Sequence, residues 1–467
     1  MSSPRLSTNE KARSININKR HFGSIAEIGA GQEISRWFFK VGGASGTVAK
    51  AISAYDMAFS DAIYGPEPSG RYVVESRVQK MLDYEYNLLI TRSKAEVQKE
   101  RALFALANTV AAKSPKYRGD CHGWIGLKYQ LSPGGEAHEI IVHIRMLDST
   151  NQQQQKTLGI LGVNLLYAAI NHSDDVKKMI SSLVDGELAE SIEINTVRLR
   201  GPAFKKTDVY AANLIPLELG LTPAVLIKAD GTVSHLAEEL YLKQVLIHRA
   251  EFNPMTSSDM DMLLSARDHY CNSKTEGECA PFLLSELFPE NLNEQTTSQL
   301  LHRIRMLLLA KQNILISQFK DTFQLMDYLE KFTKDHIHFV YPSKRLIDIF
   351  EKNHFSSFEA LARIFKDQTR MYFYPTPSNL VDPQYIKDKK QTYFTVNNYA
   401  PSIKNQFLFQ HLLADGYLED IKDHRCDPAL LISDSDLQQM IKGKKKEWEK
   451  FVPSVIASYI KDNGLFV

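Results

Sequence analysis

The chain has 467 residues, 43% of them hydrophobic and 24% charged, and its 56 Lys and Arg balance 55 Asp and Glu. This length exceeds one ordinary hydrophobic core and predicts two or three domains. Balanced charge argues against a surface built mainly for nucleic acid or anionic lipid. Residues 1–20 lack the apolar core of a secretion signal, and no apolar run reaches the roughly 18 residues of a membrane span. We therefore expect a cytoplasmic protein, with specialised export into a host cell as the alternative.

The first half of the chain predicts an α+β domain over residues 21–240, after a flexible basic leader at residues 1–20. Apolar residues recur at helical spacing near its start, and later they alternate on both sides of the turn sequence SPGGEA, a pattern typical of an antiparallel hairpin. The predicted elements are helices at 25–57, at 74–112 and from 151, hairpin strands at 125–129 and 140–146, and strands at 191–199 and 224–228.

The glycine cluster KVGGASGTVAK is a candidate anion-binding loop in this half. Gly42, Gly43 and Gly46 would let the backbone form an amide nest, and Thr47 would cap the next helix or contact phosphate. Lys50 would then lie about one turn into that helix. The Gly-Lys-Ser/Thr ending of a Walker sequence is missing. The alternative is a helix–helix corner in which the glycines permit tight packing.

The cysteine and histidine spacing predicts no metal site. The cysteines lack paired ligand spacing and predict reduced thiols at four scattered positions: Cys121, Cys271, Cys279 and Cys426. His138 and His143 would face opposite ways on one strand, so they make poor partners for one metal. Cys121 and His122 are adjacent on a strand and also point apart, which argues against a nucleophile–base pair.

The second half alternates short apolar runs with helical segments, at 245–247, 313–316, 336–340 and 370–374. Strands separated by helices predict parallel pairing, and so a Rossmann-like domain over residues 241–400 whose ligands lie where the strands end. Residues 401–467 predict a helical C-terminal region that could dock a partner protein. Its Lys-rich stretch at 442–450 is either a basic docking patch or a solvated helix face. The fold class predicted for the whole chain is α/β.

The stretch AEFNPMTSSDMDML, at residues 250–263, resembles the phosphate-contacting motif of the nucleotidylyltransferase superfamily. In that motif a strand runs into Gly-x-Phe-x-Pro, then Thr or His, then a His that opens a helix. Phe252, Pro254 and Thr256 match the motif. Ala250 replaces its glycine, and Asp259 replaces its second histidine. The resemblance is therefore to a degenerate form of the motif.

The resemblance implies a nucleotide-binding protein that transfers an adenylyl group from ATP to a phosphorylated acceptor such as nicotinate mononucleotide, with Mg²⁺ neutralising the phosphates. Asn253 and Thr256 would position the triphosphate, and Asp259 would help only by binding the metal. In the later turn YPSKR, Ser343 would cap a helix and Lys344 would meet phosphate. The alternative is a catalytically silent nucleotide sensor or protein-interaction module.

A broader resemblance covers nearly the whole chain and rests on stretches such as CHGWIGLKYQ, LGILGVNLLYAAI and QNILISQFKDTFQLMDYL. These stretches resemble a bacterial family of long proteins whose members carry the labels nicotinate-nucleotide adenylyltransferase or TonB-dependent receptor. An outer-membrane receptor needs a signal peptide and many amphipathic strands, which this sequence does not predict. The resemblance implies no mechanism beyond that of the Phe-x-Pro motif.

Overall fold

The computed structural model of the protein describes residues 6–114, 120–185, 188–272, 281–351, 358–366 and 369–466. The chain divides into two compact units, Met1–Thr222 and Pro223–Val467. Both units combine helices with a large sheet, so the α/β class predicted from the sequence is confirmed.

The first unit builds a mixed six-stranded sheet. Its helices are α1 (Thr8–Asn18), α2 (Glu33–Lys40), α3 (Met57–Tyr64), α4 (Glu75–Arg92), α5 (Ala95–Glu100), α6 (Asn151–His172), α7 (Val176–Leu183) and α8 (Val209–Glu218). Its strands are β1 (His21–Ile28), β2 (Val48–Ile52), β3 (Ala102–Ala111), β4 (His122–Gln130), β5 (Ala137–Met146) and β6 (Ile192–Arg200).

The strand order of this sheet is β2-β1-β3-β4-β5-β6. Strand β1 runs parallel to β2 and β3, whereas β3 to β6 pair antiparallel. The β4–β5 pair confirms the predicted hairpin. One face of the sheet packs on a core that includes Ile34 and Phe38 of α2 and Leu161 of α6, and the other packs on Val78 and Met81 of α4.

Three predictions for the first unit are wrong. Residues 25–57 contain β1, α2 and β2 in place of helix alone, and the predicted helix at 74–112 ends in strand β3. Strand β3 is buried on both faces along most of its length, and such a strand carries no period-2 signal. The leader is not a flexible segment throughout, because α1 begins with a capping box between Ser7 and Glu10. Buried Lys11 anchors α1 through Asp185, 2.6 Å away.

The second unit builds an eight-stranded sheet. Its strands are β7 (Ala224–Ile227), β8 (Val233–Ser234), β9 (Val245–Arg249), β10 (Phe282–Leu287), β11 (Ile314–Ser317), β12 (Ile337–Pro342), β13 (Met371–Tyr374) and β16 (Leu418–Asp420), with a separate pair β14 (Thr376–Pro377) and β15 (Tyr393–Phe394). Its helices are α9 (Leu236–Glu239), α10 (Ser257–Asn272), α11 (Glu294–Leu309), α12 (Thr322–Leu329), α13 (Arg345–Phe350), α14 (Phe358–Ile364), α15 (Gln406–Ala414), α16 (Asp434–Lys442) and α17 (Ser454–Asp462).

The strand order of the second sheet is β16-β13-β12-β9-β10-β11-β7-β8. The six strands from β16 to β11 are parallel, and the chain fills them outward from β9, first to one side and then to the other. This is the doubly wound Rossmann order, as the sequence predicted. Strands β7 and β8 extend the sheet antiparallel beyond β11, so the unit begins at Pro223 and not near residue 240. The C-terminal region is not helical alone, because β16 completes one edge of the sheet.

The cysteines differ in state. Cys121 and Cys426 are free thiols, whereas Cys271 is disulfide-bonded, so the reduced thiol predicted at that position is wrong. Cys279 lies outside the described residues. Within the described ranges, every helix is too short or too polar to cross a bilayer.

Candidate functional site

The candidate site lies in the second unit, where the strand order reverses between β9 and β12. The chain leaves β9 in one direction through the motif loop at residues 250–256, and it leaves β12 through the turn before α13. Adjacent connections at such a point diverge to opposite faces of the sheet and leave a crevice at the carboxyl ends of the strands. The sequence therefore places its Phe-x-Pro motif where this fold class binds ligands.

Residue Phe252 holds the motif loop against the sheet. Its side chain is only 1% exposed and packs edge-on against the His248 ring, with ring centroids 5.3 Å apart. Its backbone lies in the left-handed region, with φ of 49°, which is uncommon for a residue other than glycine. Burial of the aromatic ring compensates for this conformation and holds the next residue, Asn253, at the entry to α10.

Thr256 and Asp259 form a reciprocal cap at the start of α10. The Thr256 amide and hydroxyl donate to the Asp259 carboxylate at 2.8 and 2.7 Å, and the Asp259 amide donates to the Thr256 hydroxyl at 3.1 Å. An aspartate in the first turn also complements the positive end of the helix. Both predicted catalytic residues thus have a capping role, and their predicted part in catalysis stays a prediction.

An imidazole reaches this cap from strand β9. The His248 Nδ1 atom contacts the carbonyl of Val340 at 3.0 Å, and Nε2 contacts the Asp259 carboxylate at 3.0 Å. A carbonyl only accepts, so the Nδ1–H donates to Val340 and Nε2 faces the Asp259 carboxylate. An imidazole from β9 thus contacts Asp259 at the start of α10.

The first residue of α16 lies on the motif loop. The backbone N–H of Asn253 donates to the Asp434 carboxylate at 3.0 Å, and Gln438, one turn later in α16, donates to the Asn253 carbonyl at 2.7 Å. Burial, and next the negative charge of Asp259, raise the pKa of Asp434 to about 7. The backbone of Asn253, predicted to position a triphosphate, therefore binds a carboxyl group of the protein itself.

Two cations lie near the same edge of the sheet. Arg303 of α11 donates from its Nη2 to the carbonyl of Glu251, next to the motif loop. Burial lowers the pKa of Arg303, while the charges of Glu251 and Asp434 oppose that shift. Lys344 is exposed, and within the described ranges its side chain makes no ion pair. Arg303 and Lys344 therefore lie where their positive charges would favour the binding of an anion.

The turn after β12 differs from the prediction at Ser343. This residue is fully buried, and its hydroxyl donates to the carbonyl of Tyr374 at 2.9 Å. It therefore ties β12 to β13 and does not cap α13, whose N-cap position is held by Lys344 without a side-chain hydrogen bond. The Lys344 amide donates to the Thr376 hydroxyl at 3.2 Å. A capping role for Ser343 is wrong, because Lys344 holds the N-cap position and the Ser343 hydroxyl is buried against the carbonyl of Tyr374.

The glycine cluster of the first unit has a different context from the predicted one. Gly42 and Gly43 adopt left-handed conformations, with φ of 77° and 79°. The chain then makes one 3-10 turn and enters β2, so no helix follows the loop. Lys50 lies on β2 and pairs with the buried carboxylate of Glu85 at 2.6 Å, not one turn into a helix as predicted. Its charge therefore has a partner within the unit.

Backbone amides of this loop are used within the loop itself. The Gly46 amide donates to the Gly43 carbonyl at 3.2 Å, and the Thr47 amide donates to the Ala44 carbonyl at 2.9 Å. The Thr47 side chain is fully buried. Phosphate binding by Gly42, Gly43, Gly46 and Thr47 stays a prediction, and tight packing does not explain Gly42, where an added Cβ would meet nothing within 4 Å.

Sequence reasoning missed Asp434, Gln438 and His248. The two α16 residues are far from the motif loop along the chain and carry no local pattern that points to it. His248 had a usable signal, because it precedes Ala250 by two residues at the end of a buried strand, the usual place for a functional side chain in this fold class.

Comparison with known proteins gives matches among solved structures alone. No family model matches the chain, and no curated protein matches it. A competence/damage inducible protein from Agrobacterium tumefaciens is 19% identical, with 37% of this chain and 100% of that chain covered and a TM-score of 0.27. A competence or damage-inducible protein from Enterobacter asburiae is 13% identical, with 36% of this chain and 100% of that chain covered and a TM-score of 0.27. A competence-damaged protein (CinA) superfamily protein from Enterobacter cloacae is 14% identical, with 37% of this chain and 96% of that chain covered and a TM-score of 0.27. We therefore derive the function from the residues of this chain.

Proposed function

We propose that the second unit is a nucleotide-binding module with a nucleotidylyltransferase-like domain, and that α16 covers its phosphate-binding loop. One observation carries the proposal: the Asn253 amide donates to the Asp434 carboxylate at 3.0 Å. Free amides at a loop before a helix are the groups that bind phosphate in such folds. The Asp434 carboxylate stands in for a phosphate oxygen at this amide.

The surrounding charges favour an anion at the same place. The His248 imidazole approaches the start of α10 through Asp259, and Arg303 reaches the carbonyl of Glu251 beside the loop. Lys344 presents an exposed ammonium from the next strand connection. A nucleotide phosphate that displaced Asp434 would gain the Asn253 amide and would remove one carboxylate from the neighbourhood of Asp259. Binding is therefore expected to compete with the contact made by α16.

The reaction that such a site would support is adenylyl transfer from ATP to a phosphorylated acceptor such as nicotinate mononucleotide. Thr256 and Asn253 would hold the triphosphate, and Lys344 would add positive charge as negative charge moves to the leaving phosphates. Mg²⁺ bound to the phosphates would neutralise their charge, and the Asp259 carboxylate is an oxygen ligand of the kind that this ion prefers.

The second candidate function is a catalytically silent nucleotide sensor or protein-interaction module. Ala250 replaces the motif glycine, and Asp259 replaces the motif histidine and is engaged by Thr256 and His248. A site that binds a nucleotide without transferring its adenylyl group needs neither the motif glycine nor the motif histidine. In that case the release of α16 would itself be the output, because a helix freed from the loop can contact another protein.

The experiment is a binding measurement on the full chain with ATP, NAD and nicotinate mononucleotide, each with and without Mg²⁺. A ligand at about 100 times its dissociation constant should add roughly 2.7 kcal/mol to the stability of the fold, which raises the melting temperature. Asp434→Ala should bind nucleotide more tightly than the wild type, and Lys344→Ala should bind it more weakly. Asp436→Ala is the matched control, because Asp436 is an exposed acid in the same turn of α16.

Nucleotide binding by neither the wild type nor Asp434→Ala would overturn the nucleotide proposal. If nucleotide binds, release of pyrophosphate in the presence of acceptor separates the transferase from the silent sensor. Equal affinities in Asp434→Ala and Asp436→Ala would contradict the part given to α16 while leaving nucleotide binding in place.

A further inference from the structure

Four polar side chains share one face of the sheet in the first unit, away from the site described above. Trp124 on β4 lies opposite His143 on β5, which lies opposite Thr196 on β6. His122 precedes Trp124 by two residues on β4, and alternate residues of a strand share a face. The register therefore gathers two imidazoles, an indole and a hydroxyl at one end of this face.

The two imidazoles are close enough to share one metal ion. The His122 Nδ1 atom lies 3.1 Å from the His143 Nε2 atom. Two imidazole nitrogens bound to one tetrahedral zinc at about 2.0–2.1 Å would lie about 3.3 Å apart. His143 is fully buried and His122 is half-buried, so neither ring can turn far from this arrangement.

An asparagine orients the His143 ring. The Asn195 Oδ1 atom contacts His143 Nδ1 at 3.2 Å, and the Asn195 Nδ2 donates to the Thr222 hydroxyl at 3.2 Å. That orientation of the amide makes Nδ1 the protonated nitrogen and directs the lone pair of Nε2 toward His122. Partners of this kind fix the tautomer and direction of metal-binding histidines.

A β-bulge explains how Asn195 reaches the ring. His143 pairs with Thr196, and Ile144 pairs with Ile194, so Asn195 is an extra residue between two pairs. A bulge re-aims a side chain that would otherwise alternate to the other face of the sheet, and bulges are common beside active sites. The bulge therefore places the Asn195 side chain beside the His143 ring.

Two further polar atoms at this place are buried. The Trp124 Nε1 and the Thr196 Oγ1 make no hydrogen bond within the described residues, while Trp124 is 2% exposed and Thr196 is fully buried. Buried polar groups in folded proteins nearly always have a partner. A water, hydroxide or small anion bound to a metal between the imidazoles would supply one.

We propose that His122 and His143 bind a divalent transition-metal ion, with Zn²⁺ as the probe of choice, and that Trp124 and Thr196 hydrogen-bond to its non-protein ligand. Imidazole nitrogens are ligands that Zn²⁺, Ni²⁺ and Cu²⁺ accept readily. Asn195 is a positioning residue that presents His143. The site belongs to the first unit and is independent of nucleotide binding in the second.

The test is a titration of the full chain, freed of metal with a chelator, with ZnCl₂ and separately with CoCl₂. We expect one metal equivalent to be lost in His143→Asn and in His122→Asn relative to the wild type. Asn195→Ala should weaken this equivalent by roughly 10–100-fold, as loss of an orienting partner does elsewhere. His138→Asn is the matched control, because His138 lies on β5 but faces the other side of the sheet.

Bound Co²⁺ reports its own coordination in visible absorption. Intense bands of a four-coordinate ion in the wild type, weakened in Asn195→Ala, would support the site even if a histidine variant did not fold. The proposal is overturned if the wild type keeps the spectrum of aqueous Co²⁺. It is equally overturned if folded His143→Asn and His122→Asn bind Zn²⁺ with the stoichiometry and affinity of the wild type. In either case the rings form a hydrogen-bonded pair without metal.

Discussion

At the residue scale, Asp434 couples the motif loop to α16. Its carboxylate accepts from the Asn253 amide, which stabilises the charged form, while burial and the charge of Asp259 favour the protonated form. The second pair of causes is larger, so the pKa of Asp434 rises to about 7. The same carboxylate in an unfolded chain titrates near its ordinary value of about 3.9.

Asp434 should therefore make the protein less stable as the pH rises. The folded state binds the Asp434 proton more tightly than the unfolded state, so its contribution is present below pH of about 4 and is lost as the pH rises through about 7. Asp434→Asn removes this dependence while keeping a carbonyl oxygen that can accept from Asn253. Relative to the wild type, its melting temperature should rise progressively between about pH 4 and about pH 7.

The control for this measurement is Asp436→Asn in the same turn. Asp436 is exposed in the same turn of α16, so its replacement removes the same formal charge while leaving the Asp434 contact with the Asn253 amide in place. A pH profile for Asp434→Asn that runs parallel to the wild type would show that the account of the Asp434 burial is wrong.

At the scale of elements, close packing of α2 on α6 depends on a glycine within α6. A Cβ added at Gly162 would lie 2.4, 2.5 and 2.8 Å from the Cδ1, Cγ1 and Cγ2 atoms of Ile34. Ile34 is fully buried, so its side chain cannot move aside into solvent. A glycine within a helix lowers the stability of that helix. At this position its missing side chain allows α2 and α6 to pack at a short distance.

Gly162→Val should destabilise the first unit by about 1–3 kcal/mol, the usual cost of overpacking a core. Valine has a better helix propensity than glycine, so propensity alone predicts the opposite sign. Thermal or urea unfolding measures the change. Gln152→Val is the matched control, because Gln152 is exposed in the first turn of α6 and should lose only a few tenths of a kcal/mol. A stability gain in Gly162→Val would mean that α2 and α6 are less tightly packed than the distances indicate.

At the scale of the whole molecule, each unit has its own cores. Two of the apolar clusters contain residues of the first unit alone, and two others contain residues of the second unit alone. Helix α8 completes the first unit, because the Asn213 side chain accepts from the Val197 amide at 2.8 Å and donates to the Val197 carbonyl at 3.0 Å. Both backbone groups of Val197 on edge strand β6 thus have a partner within the first unit.

A fragment of residues 1–222 should therefore fold alone. We expect one cooperative thermal transition and a near-ultraviolet circular dichroism signal from Trp124, which is buried in this unit. A fragment of residues 1–200 lacks Asn213 and should melt at a lower temperature. Absence of a cooperative transition in the longer fragment would show that the first unit needs the rest of the chain.

The hairpin of β4 and β5 and the short apolar strands β9, β11, β12 and β13 were predicted from the sequence, whereas β3 and β10 were not. The hairpin of β4 and β5 has a turn sequence between alternating runs, and it lies where it was expected. Strand β3 is apolar on both faces, so its pattern could not be distinguished from that of a helix. Strand β10 was missed altogether, although it pairs with both β9 and β11 in the middle of the sheet.

The candidate site was predictable only where its residues are neighbours along the chain. Phe252, Pro254 and Thr256 are close in sequence, and a strand, loop and helix start can be inferred from local pattern. The prediction that Ser343 caps a helix was wrong. Its hydroxyl donates to a carbonyl of the neighbouring strand, and no local sequence pattern indicates that contact. His122 and His143 become neighbours through strand register, and the hairpin turn could have shown this.

By itself the sequence determined the α/β class, the Rossmann-like second half and the place of the motif loop in it. These follow from hydrophobic periodicity and turn chemistry, which act over a few residues. Only the tertiary structure decided that Asp434 accepts from the Asn253 amide and that the Ser343 hydroxyl donates to the Tyr374 carbonyl. Such contacts join residues distant in sequence, and their partners are selected by packing of whole elements, which no local pattern encodes.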